Sequence, residues 1–456
     1  MTEKAIELKG IRFAYDGGGE VLRDLDFTLR YGEFAILAGV SGNGKTTLLS
    51  IISGVIPGIV PGKLEGSIRL DGQDMTGVTL GKRARLVGSV FQNPEDQIVH
   101  DRVEDEVAFG CENLGIPKVE IAERVDRALK RTQLKAGRET RKLSGGQKQR
   151  LMAAATFAMG QRILLLDEPL ANLDRQSAIG LLRTLREMAN EGCAVLMVEH
   201  RLDLALAFAD TVYSLSEGQL IEEKDKEALR TRSQTLIPYD NDPITGGRVL
   251  ISLRDVYYGI SHIDVLRGVN LDIRAGERVT VLGPNGCGKT TLLKILARLI
   301  YPSSGGYEQH LIRAQHVHAR PEWFRAAGYV HQNPSYQLFM PTLWEEILRG
   351  AKTKDRAERM IALFGLSGLE GRHPQSLSEG QKRRADVAAV CATEPGVLFL
   401  DEPTVGQDDA NLTRMLESLH LLQKESGCAI VTVTHDVRCK EALSDRRVIM
   451  KMGRII

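Results

Sequence analysis

The sequence feature that most constrains the fold is a glycine-rich segment at residues 39–47, GVSGNGKTT. The apolar run at residues 34–38 before it predicts a strand, and the apolar stretch at residues 48–52 after it predicts a helix. A glycine-rich turn between a strand and a helix, ending in Lys-Thr, is typical of a loop that wraps nucleotide phosphates. The sequence therefore predicts an α/β fold with a phosphate site at this turn.

The chemistry of the segment supports this prediction. Glycines let backbone N–H groups turn towards a phosphate, and the following helix N-terminus adds partial positive charge. We expect Lys45 to reach the β- and γ-phosphates and the Thr46 hydroxyl to hold Mg²⁺. The alternative is an ordinary strand-to-helix turn that is rich in glycine. The residues expected to contact the nucleotide are Gly39, Ser41, Gly42, Gly44, Lys45, Thr46 and Thr47.

The same pattern occurs a second time, at residues 283–291, again after an apolar run. This repetition predicts that the chain is a duplication with two nucleotide sites. The corresponding residues of the second loop are Gly283, Asn285, Gly286, Gly288, Lys289, Thr290 and Thr291.

Each half also has a continuous apolar strand that ends in Asp-Glu. Strands buried on both faces have this pattern in parallel sheets, and ligands bind beyond their carboxyl ends. We expect Asp167 and Asp401 to bind Mg²⁺, and Glu168 and Glu402 to orient or deprotonate the attacking water. The alternative is a pair of acids that only ends a strand.

Polar residues at two further strand ends complete the predicted sites. His200 follows the strand after the first Asp-Glu pair, so we expect it beside the same phosphate, and His435 is its counterpart. Gln92 and Gln332 end other β-like runs and are expected to touch Mg²⁺ or the attacking water. The predicted metal ligands are thus Thr46, Gln92, Asp167, Thr290, Gln332 and Asp401.

A Leu-Ser-Gly-Gly-Gln segment precedes an alanine-rich helix in the first half. Its serine suits a helix N-cap, and its glycines expose backbone N–H groups at a helix N-terminus. The second half has Glu379 in place of the first glycine, which brings a negative charge near a triphosphate. The predicted nucleotide contacts in these segments are Ser144, Gly145, Gly146, Gln147, Ser378, Gly380 and Gln381.

Tyr15, just before a glycine-rich turn, is expected to stack on adenine; the alternative is an aromatic plug at the sheet edge. Its strand, residues 6–15, alternates in part like an edge strand. In the second half, stacking falls to Tyr257 or Tyr258, or is absent.

The length and composition are consistent with two soluble-type domains. The chain has 456 residues, which is enough for two cores, and we place the domains at 1–231 and 248–456 with a Pro/Asp/Gly-rich linker at 232–247.

The net charge of the chain is +1, which argues against a dedicated nucleic-acid binder. No apolar run approaches the ~18–20 residues that cross a bilayer, so any membrane spans must come from other subunits. The scattered cysteines suit reduced cytosolic thiols.

Together, the ordered motifs resemble those of the ATP-binding cassette (ABC) ATPases over nearly the whole chain. In that nomenclature the glycine-rich loops are the Walker A motifs, and Gln92 and Gln332 begin the Q-loops. The segments at residues 144–147 and 378–381 are the signatures, and the two Asp-Glu pairs belong to the Walker B motifs. His200 and His435 are the switch histidines. The resemblance implies two tandem P-loop domains, each with a mainly parallel sheet core, an antiparallel β subdomain and a helical subdomain. It also implies ATP and Mg²⁺ as cofactors. It further implies head-to-tail packing, in which residues 39–47 face residues 378–381 and residues 283–291 face residues 144–147.

Within this family, the segments at residues 92–97, 332–339 and 405–408 look like those of energy-coupling factor (ECF) and cobalt-importer ATPases. The resemblance implies an ATPase subunit at the cytoplasmic face of the membrane, with a transmembrane coupling protein and a small membrane substrate-binding protein as partners. The cargo would be a vitamin, a vitamin precursor or a transition-metal ion. The alternatives are the fused ATPase of a sugar importer and a soluble two-cassette translation ATPase.

Overall fold

A computed structural model describes most of the chain and separates it into two compact units, Met1–Thr235 and Leu236–Ile456. The unit boundary lies within the stretch proposed as a linker. The described residues are 3–40, 42–91, 94–171, 173–229, 247–260, 263–312, 320–404, 407–434 and 444–456. Several predicted residues lie outside this set, namely Ser41, Gln92, His435 and residues 232–246 of the linker.

Ten strands and eight helices are named here among the described residues of the first unit. The strands are β1 (Lys4–Tyr15), β2 (Glu20–Arg30), β3 (Phe34–Ala38), β4 (Gly62–Leu70), β5 (Gln73–Asp74), β6 (Val87–Val90), β7 (Ile163–Asp167), β8 (Ala194–Val198), β9 (Thr211–Ser216) and β10 (Gln219–Glu222). The helices are α1 (Lys45–Ser53), α2 (Val55–Gly58), α3 (Leu80–Arg83), α4 (Val103–Asn113), α5 (Lys118–Thr132), α6 (Gly145–Met159), α7 (Arg175–Asn190) and α8 (Leu202–Ala205).

The strands of the first unit form two sheets. The larger sheet has the order β10-β9-β3-β8-β7-β6, and its pairs are parallel except for β9 with β10. Residues of β3, β7 and β8 are buried throughout, as expected for strands covered on both faces. The smaller sheet is antiparallel with the order β2-β1-β4-β5. Helices α4 to α6 form the helical part between β6 and β7.

The second unit repeats this plan. Its strands are β11 (Val249–Ile260), β12 (Ile263–Arg274), β13 (Arg278–Leu282), β14 (Ser304–Gln309), β15 (Ala327–Val330), β16 (Val397–Asp401), β17 (Ala429–Val433), β18 (Arg446–Lys451) and β19 (Arg454–Ile455). Its helices are α9 (Lys289–Leu296), α10 (Arg320–Ala326), α11 (Leu343–Gly350), α12 (Lys354–Leu363), α13 (Glu379–Ala392) and α14 (Asp409–Ser426). The sheet order β15-β16-β17-β13-β18-β19 matches that of the first unit, and β12-β11-β14 is the antiparallel sheet.

The predicted fold class is therefore confirmed, with one local correction. Strand β1 is not an edge strand, because it pairs with β2 on one side and with β4 on the other. Its alternation reflects one face buried against the core, which a central strand of an antiparallel sheet shows as readily as an edge strand. Strand β4 begins at Gly62, directly after a stretch rich in proline and glycine.

Candidate functional site

The loop between β3 and α1 is folded around the ammonium group of Lys45. This side chain is buried, and its Nζ donates to the carbonyl oxygens of Gly39 at 2.8 Å and Val40 at 2.9 Å. Helix α1 has Gly44 at its N-cap with a φ of 94°, and the N-cap residue supplies no side-chain hydrogen bond to the helix. A Cβ at Gly44 would lie 2.8 Å from Val21 Cγ1, so only glycine fits this turn.

The second loop has the same geometry. Lys289 Nζ donates to the carbonyl oxygens of Gly283 at 2.9 Å and Pro284 at 3.1 Å. Gly288 caps α9 with a φ of 101° and without a side-chain hydrogen bond. Both loops thus present a lysine and uncapped helix N–H groups at one place, which is the chemistry that an anionic phosphate chain requires.

Asp167 ends β7 beside the first loop, and one of its carboxylate oxygens accepts no hydrogen bond. Its side chain is hydrogen bonded to that of Thr46, while its Oδ1 is buried and has no hydrogen-bond partner. Burial, followed by the charge of the adjacent Glu168, raises the pKa of Asp167 to about 7. A buried carboxylate oxygen without a donor, next to a threonine hydroxyl, suits a hard cation that completes its shell with phosphate and water oxygens.

The equivalent Asp401 is held more completely. Thr290 Oγ1 donates to its Oδ1 at 3.0 Å, and Tyr329 OH donates to its Oδ2 at 3.1 Å. Burial and then Glu402 raise the pKa of Asp401, while the two hydroxyl donors oppose this shift. Ser89 occupies the place of Tyr329, because each is the third residue of the matching strand beside the Asp-Glu strand. Sequence reasoning missed Tyr329, although aligning the two copies would have shown the difference.

Glu168 and His200 meet at the end of the same sheet. His200 Nε2 lies 3.1 Å from Glu168 Oε1. Burial by itself lowers the pKa of His200, but the charge and hydrogen bond of Glu168 outweigh it, so the pKa is raised. Glu168 has a φ of 47° and its N–H donates to Val198 O, and Glu402 repeats this with a φ of 49° and a bond to Val433 O. A carboxylate paired with an imidazole in this way can receive a proton from water.

A buried carboxylate that the sequence analysis did not single out supports this corner. Glu199 is 2 % exposed and accepts N–H groups from His200, Arg201 and Leu170. Arg201 in turn donates to the carbonyl oxygens of Leu170 and Leu173. These bonds fix the segment after the Asp-Glu pair to the strand that carries the histidine.

The two signature segments begin helices α6 and α13 through matching capping boxes. Gln147 N donates to Ser144 Oγ and Ser144 N to Gln147 Oε1. Ser378 and Gln381 form the same reciprocal pair in the second unit. The N-cap prediction for Ser144 is therefore confirmed, and these boxes satisfy N–H groups that would otherwise be orphaned at the helix ends. Gly146 and Gly380 are buried, whereas Gly145 is half-buried.

A lysine beside each signature has a different partner in each unit. In the first, Lys148 pairs with Glu95, which lies in the turn Pro94–Asp96 that follows the Q-loop position. In the second, Lys382 pairs at 2.9 Å with Glu379 of the signature itself. The negative charge that Glu379 adds is thus partly balanced within its own helix.

The second glutamine of each Q-loop segment closes the loop onto its strand. Gln97 Oε1 accepts the N–H of Phe91 at 2.9 Å, and Gln337 Oε1 accepts that of His331 at 2.8 Å. Gln332, predicted to approach the metal or water, is exposed and follows directly after His331. The hydrogen bond made by this second glutamine is therefore the same in both units.

The aromatic position differs between the units. Tyr15 is 39 % exposed, and its OH shares a hydrogen bond with Thr47 Oγ1 at 2.9 Å, so its ring is anchored to the phosphate loop. Strand pairing places Tyr258 opposite Leu266, as Phe13 is opposite Leu22. Two residues further along each strand, Ile260 therefore takes the position of Tyr15.

Comparison with known proteins identifies this arrangement. A sequence profile described as ABC transporter matches residues 22–171 and 266–405, which contain both loops and both Asp-Glu pairs. The chain belongs to the ABC transporter ATPase family. It is a fused two-cassette ATP hydrolase that binds ATP with Mg²⁺.

Relatives align along the whole chain. A Methanosarcina mazei protein named as an ABC transporter ATP-binding protein is 32 % identical over 100 % of this chain and 89 % of its own length. The Bacillus subtilis protein YkoD, named for HMP/thiamine import, is 29 % identical over 97 % of this chain and 89 % of its own. A solved structure of ribosome-bound archaeal Pelota and ABCE1 covers 95 % of this chain and 76 % of the matched chain, with a TM-score of 0.69 at 22 % identity, which shows the shared tandem fold.

The described residues fit MgATP. The buried Oδ1 of Asp167 has no protein partner, and the loop glycines leave N–H groups and a lysine for phosphates. Bound Mg²⁺ supplies charge stabilisation for a transferring phosphoryl group. Among the residues that the structure describes, none of the helices has the length and apolar character needed to span a membrane.

Proposed function

We propose that this chain is the ATP-hydrolysing subunit of an importer of the energy-coupling factor type. Its partners are a transmembrane coupling protein and a small membrane protein that binds the cargo. The cargo is a vitamin, a vitamin precursor or a transition-metal ion, and the ATPase works at the cytoplasmic face of the membrane. ATP closes the two cassettes head to tail and hydrolysis opens them, which moves the coupling protein.

One observation supports this proposal above the others, the repeated build of the two Q-loop segments. In each unit a Gln-Asn-Pro segment is closed by a second glutamine and is followed by exposed apolar side chains. Val99 is 67 % exposed in the first unit, and Tyr336 and Phe339 are 65 % and 61 % exposed in the second. Exposed apolar groups at matching places favour two docking positions for helices of a protein partner.

The relatives add support of a second kind. YkoD, which aligns with nearly the full length of the chain, is named for import of HMP/thiamine, and that cargo belongs to the proposed class. The similarity to the translation-type protein ABCE1 is at 22 % identity and concerns the fold alone.

The proposal also assigns roles at the reacting centre. Lys45 and Lys289 hold the phosphates, while Asp167 and Asp401 are the acidic Mg²⁺ ligands. Glu168 accepts the proton of the attacking water, and His200 holds that carboxylate in position through its Nε2 contact. The matching roles fall to Glu402 and to His435, which lies outside the described residues.

The test is affinity purification of the tagged chain from detergent-solubilised native membranes, with mass spectrometry of the proteins recovered. We expect two small membrane proteins. The double variant Gln97→Ala/Gln337→Ala releases both Q-loop turns and should recover less of the coupling protein while still binding ATP. Gln73→Ala/Gln219→Ala, at two exposed glutamines of other strands, is the matched control and should recover as much as the unaltered chain.

Recovery of ribosomal proteins without a membrane subunit would overturn the importer proposal and leave the two-site ATPase. Recovery of a pair of large membrane proteins together with a soluble sugar-binding protein would instead favour a sugar importer.

A further inference from the structure

The first unit has a cleft that its nucleotide chemistry does not use. It encloses about 570 Å³ between the C-terminal end of α5, the signature helix α6 and the first half of α7. Small-molecule sites typically occupy ~300–1,000 Å³, so the cleft is large enough for one. Its lining residues include four arginines and no acid, and the arginines are Arg131, Arg150, Arg175 and Arg183.

The charges around the cleft leave it positive. Arg131 pairs with Glu191, and Arg175 lies 3.5 Å from Asp203, but these carboxylates stand outside the lining. The pair of Arg175 is solvent-exposed, and that of Arg131 is partly exposed. Exposed pairs of this kind are weak and exchange partners easily.

Arg150 supplies a hydrogen-bond donor to the cleft, and neighbouring residues of α7 supply apolar surface. Its Nη1 reaches Thr132 O, while its Nε is buried without a hydrogen-bond partner. Asp174, the N-cap of α7, is the acid whose charge acts on Arg150. Ile179 contributes apolar lining on α7, whereas Leu181 reaches the cleft with only 3 % of its surface exposed. Guanidinium forks above an apolar wall suit a molecule with a phosphate and a small organic body.

The second unit provides an internal comparison. Asp174 and Asp408 cap α7 and α14, so position by position Arg175, Gly180 and Arg183 correspond to Asp409, Arg414 and Glu417. Two of the arginines of the cleft are thus replaced by acids in the second copy.

The side chain at the Gly180 position also differs in the second copy. A Cβ at Gly365, two residues after α12 and with a φ of 62°, would lie 2.5 Å from Arg414 Nη1, so the Arg414 side chain lies against that turn. In the first unit the helix has Gly180 at this position, and a Cβ there would meet nothing within 4 Å. Glycine inside a helix is less favourable than alanine, so helix propensity does not account for Gly180.

We propose that this cleft is a binding site for a small phosphate-bearing molecule, present in the first cassette and lost from the second. The ligand's phosphate lies among the guanidinium groups of Arg150, Arg175 and Arg183, and its body lies against Ile179. Because Arg150 belongs to the signature helix and Arg175 begins the helix capped by Asp174, an occupant contacts two elements of the nucleotide machinery. The site does not depend on which transporter the chain serves.

The test is equilibrium dialysis with radiolabelled pyrophosphate as the probe. The full chain carries Lys45→Ala/Lys289→Ala and no Mg²⁺ is added, so that both nucleotide loops have lost their phosphate-holding lysine. We expect Arg175→Asp/Arg183→Glu, the residues of the second copy, to weaken binding by about tenfold or more. Arg175→Gln/Arg183→Gln should weaken pyrophosphate binding by less, because it removes the positive charges without adding negative ones. A folding defect would not produce this graded loss.

Lys118→Glu/Arg127→Glu is the matched control, because it reverses two exposed charges on α5 outside the cleft. It should leave the affinity within about twofold, as long-range charge effects are screened by salt. Equal weakening by the cleft and control variants would overturn the site and assign the binding to net charge. Absence of pyrophosphate binding in the Lys45→Ala/Lys289→Ala chain would overturn it as well.

Discussion

At the scale of single residues, the two Walker B aspartates are held differently. Asp401 receives hydroxyl hydrogen bonds on both oxygens, from Thr290 and Tyr329, whereas Oδ1 of Asp167 has no donor. A hydroxyl that fixes the second oxygen prevents the carboxylate from turning. The second site is therefore the more preorganised of the two around its metal ligand.

Tyr329→Phe tests this difference. The variant removes one donor to a buried carboxylate, and hydrogen bonds to charged groups are worth roughly 1.5–3 kcal/mol. Since only part of that energy bears on metal binding, we expect the Mg²⁺ concentration for half-maximal ATPase to rise about three- to tenfold. The measurement uses a Glu168→Gln background, so that turnover comes from the second site.

Ser89→Ala in a Glu402→Gln background is the control for Tyr329→Phe, because Ser89 holds the matching position in the first unit. It should leave the Mg²⁺ dependence unchanged. A Tyr329→Phe chain with an unaltered Mg²⁺ dependence would show that the hydroxyl does not position Asp401.

At the scale of secondary-structure elements, a buried glutamate ties each Q-loop segment to the helical part of its unit. Glu346, on α11, accepts the N–H groups of Phe339 and Met340. Glu106, on α4, accepts those of Val99 and His100. The turn that we assign to partner docking is thus bonded directly to the helices that lead to the signature.

Glu346→Ala should destabilise the second unit. It removes the carboxylate that accepts two partly buried N–H groups, and hydrogen bonds to charged groups contribute about 1.5–3 kcal/mol each, so we expect a loss of roughly 2–4 kcal/mol in the free energy of unfolding. Chemical denaturation followed by circular dichroism gives the value. Glu345→Ala, at the exposed neighbour on the same helix, should change it by less than about 0.5 kcal/mol. Equal effects of the two substitutions would assign the loss to helix propensity.

At the scale of the whole molecule, the sequence predicted most of the architecture because each motif sits where its chemistry requires a particular element. The glycine loops predicted the start of α1 and α9, and the Asp-Glu pairs predicted the ends of β7 and β16. The central place of β1 was not predictable, since alternation reports a buried face and not how many neighbours a strand has.

The site was predictable in its residue types and less so in its contacts. Phosphate loops and signatures have fixed spacings, so Lys45 and Ser144 could be identified in a single sequence. Glu199 and Glu346 could not, because their roles come from backbone N–H groups brought together only by folding. The Glu379–Lys382 pair lies within one helix turn and follows from i,i+3 spacing. The sequence does not show that the matching lysine of the first unit, Lys148, pairs instead with Glu95.

Those differences between the copies predict unequal nucleotide sites. In the head-to-tail closure that we propose, Glu379 would face the first phosphate loop, so the site that uses Glu168 would work against an extra carboxylate. The ion pair between Glu379 and Lys382 is partly exposed and balances the charge of Glu379 only in part.

We therefore expect Glu402→Gln to remove the larger share of the ATPase rate and Glu168→Gln the smaller, each substitution slowing its own site by roughly 10²–10⁴. Adding Glu379→Gly should bring the two losses closer together. Steady-state ATPase assays of the single and combined variants measure this, and equal losses in the unaltered background would mean that Glu379 creates no asymmetry.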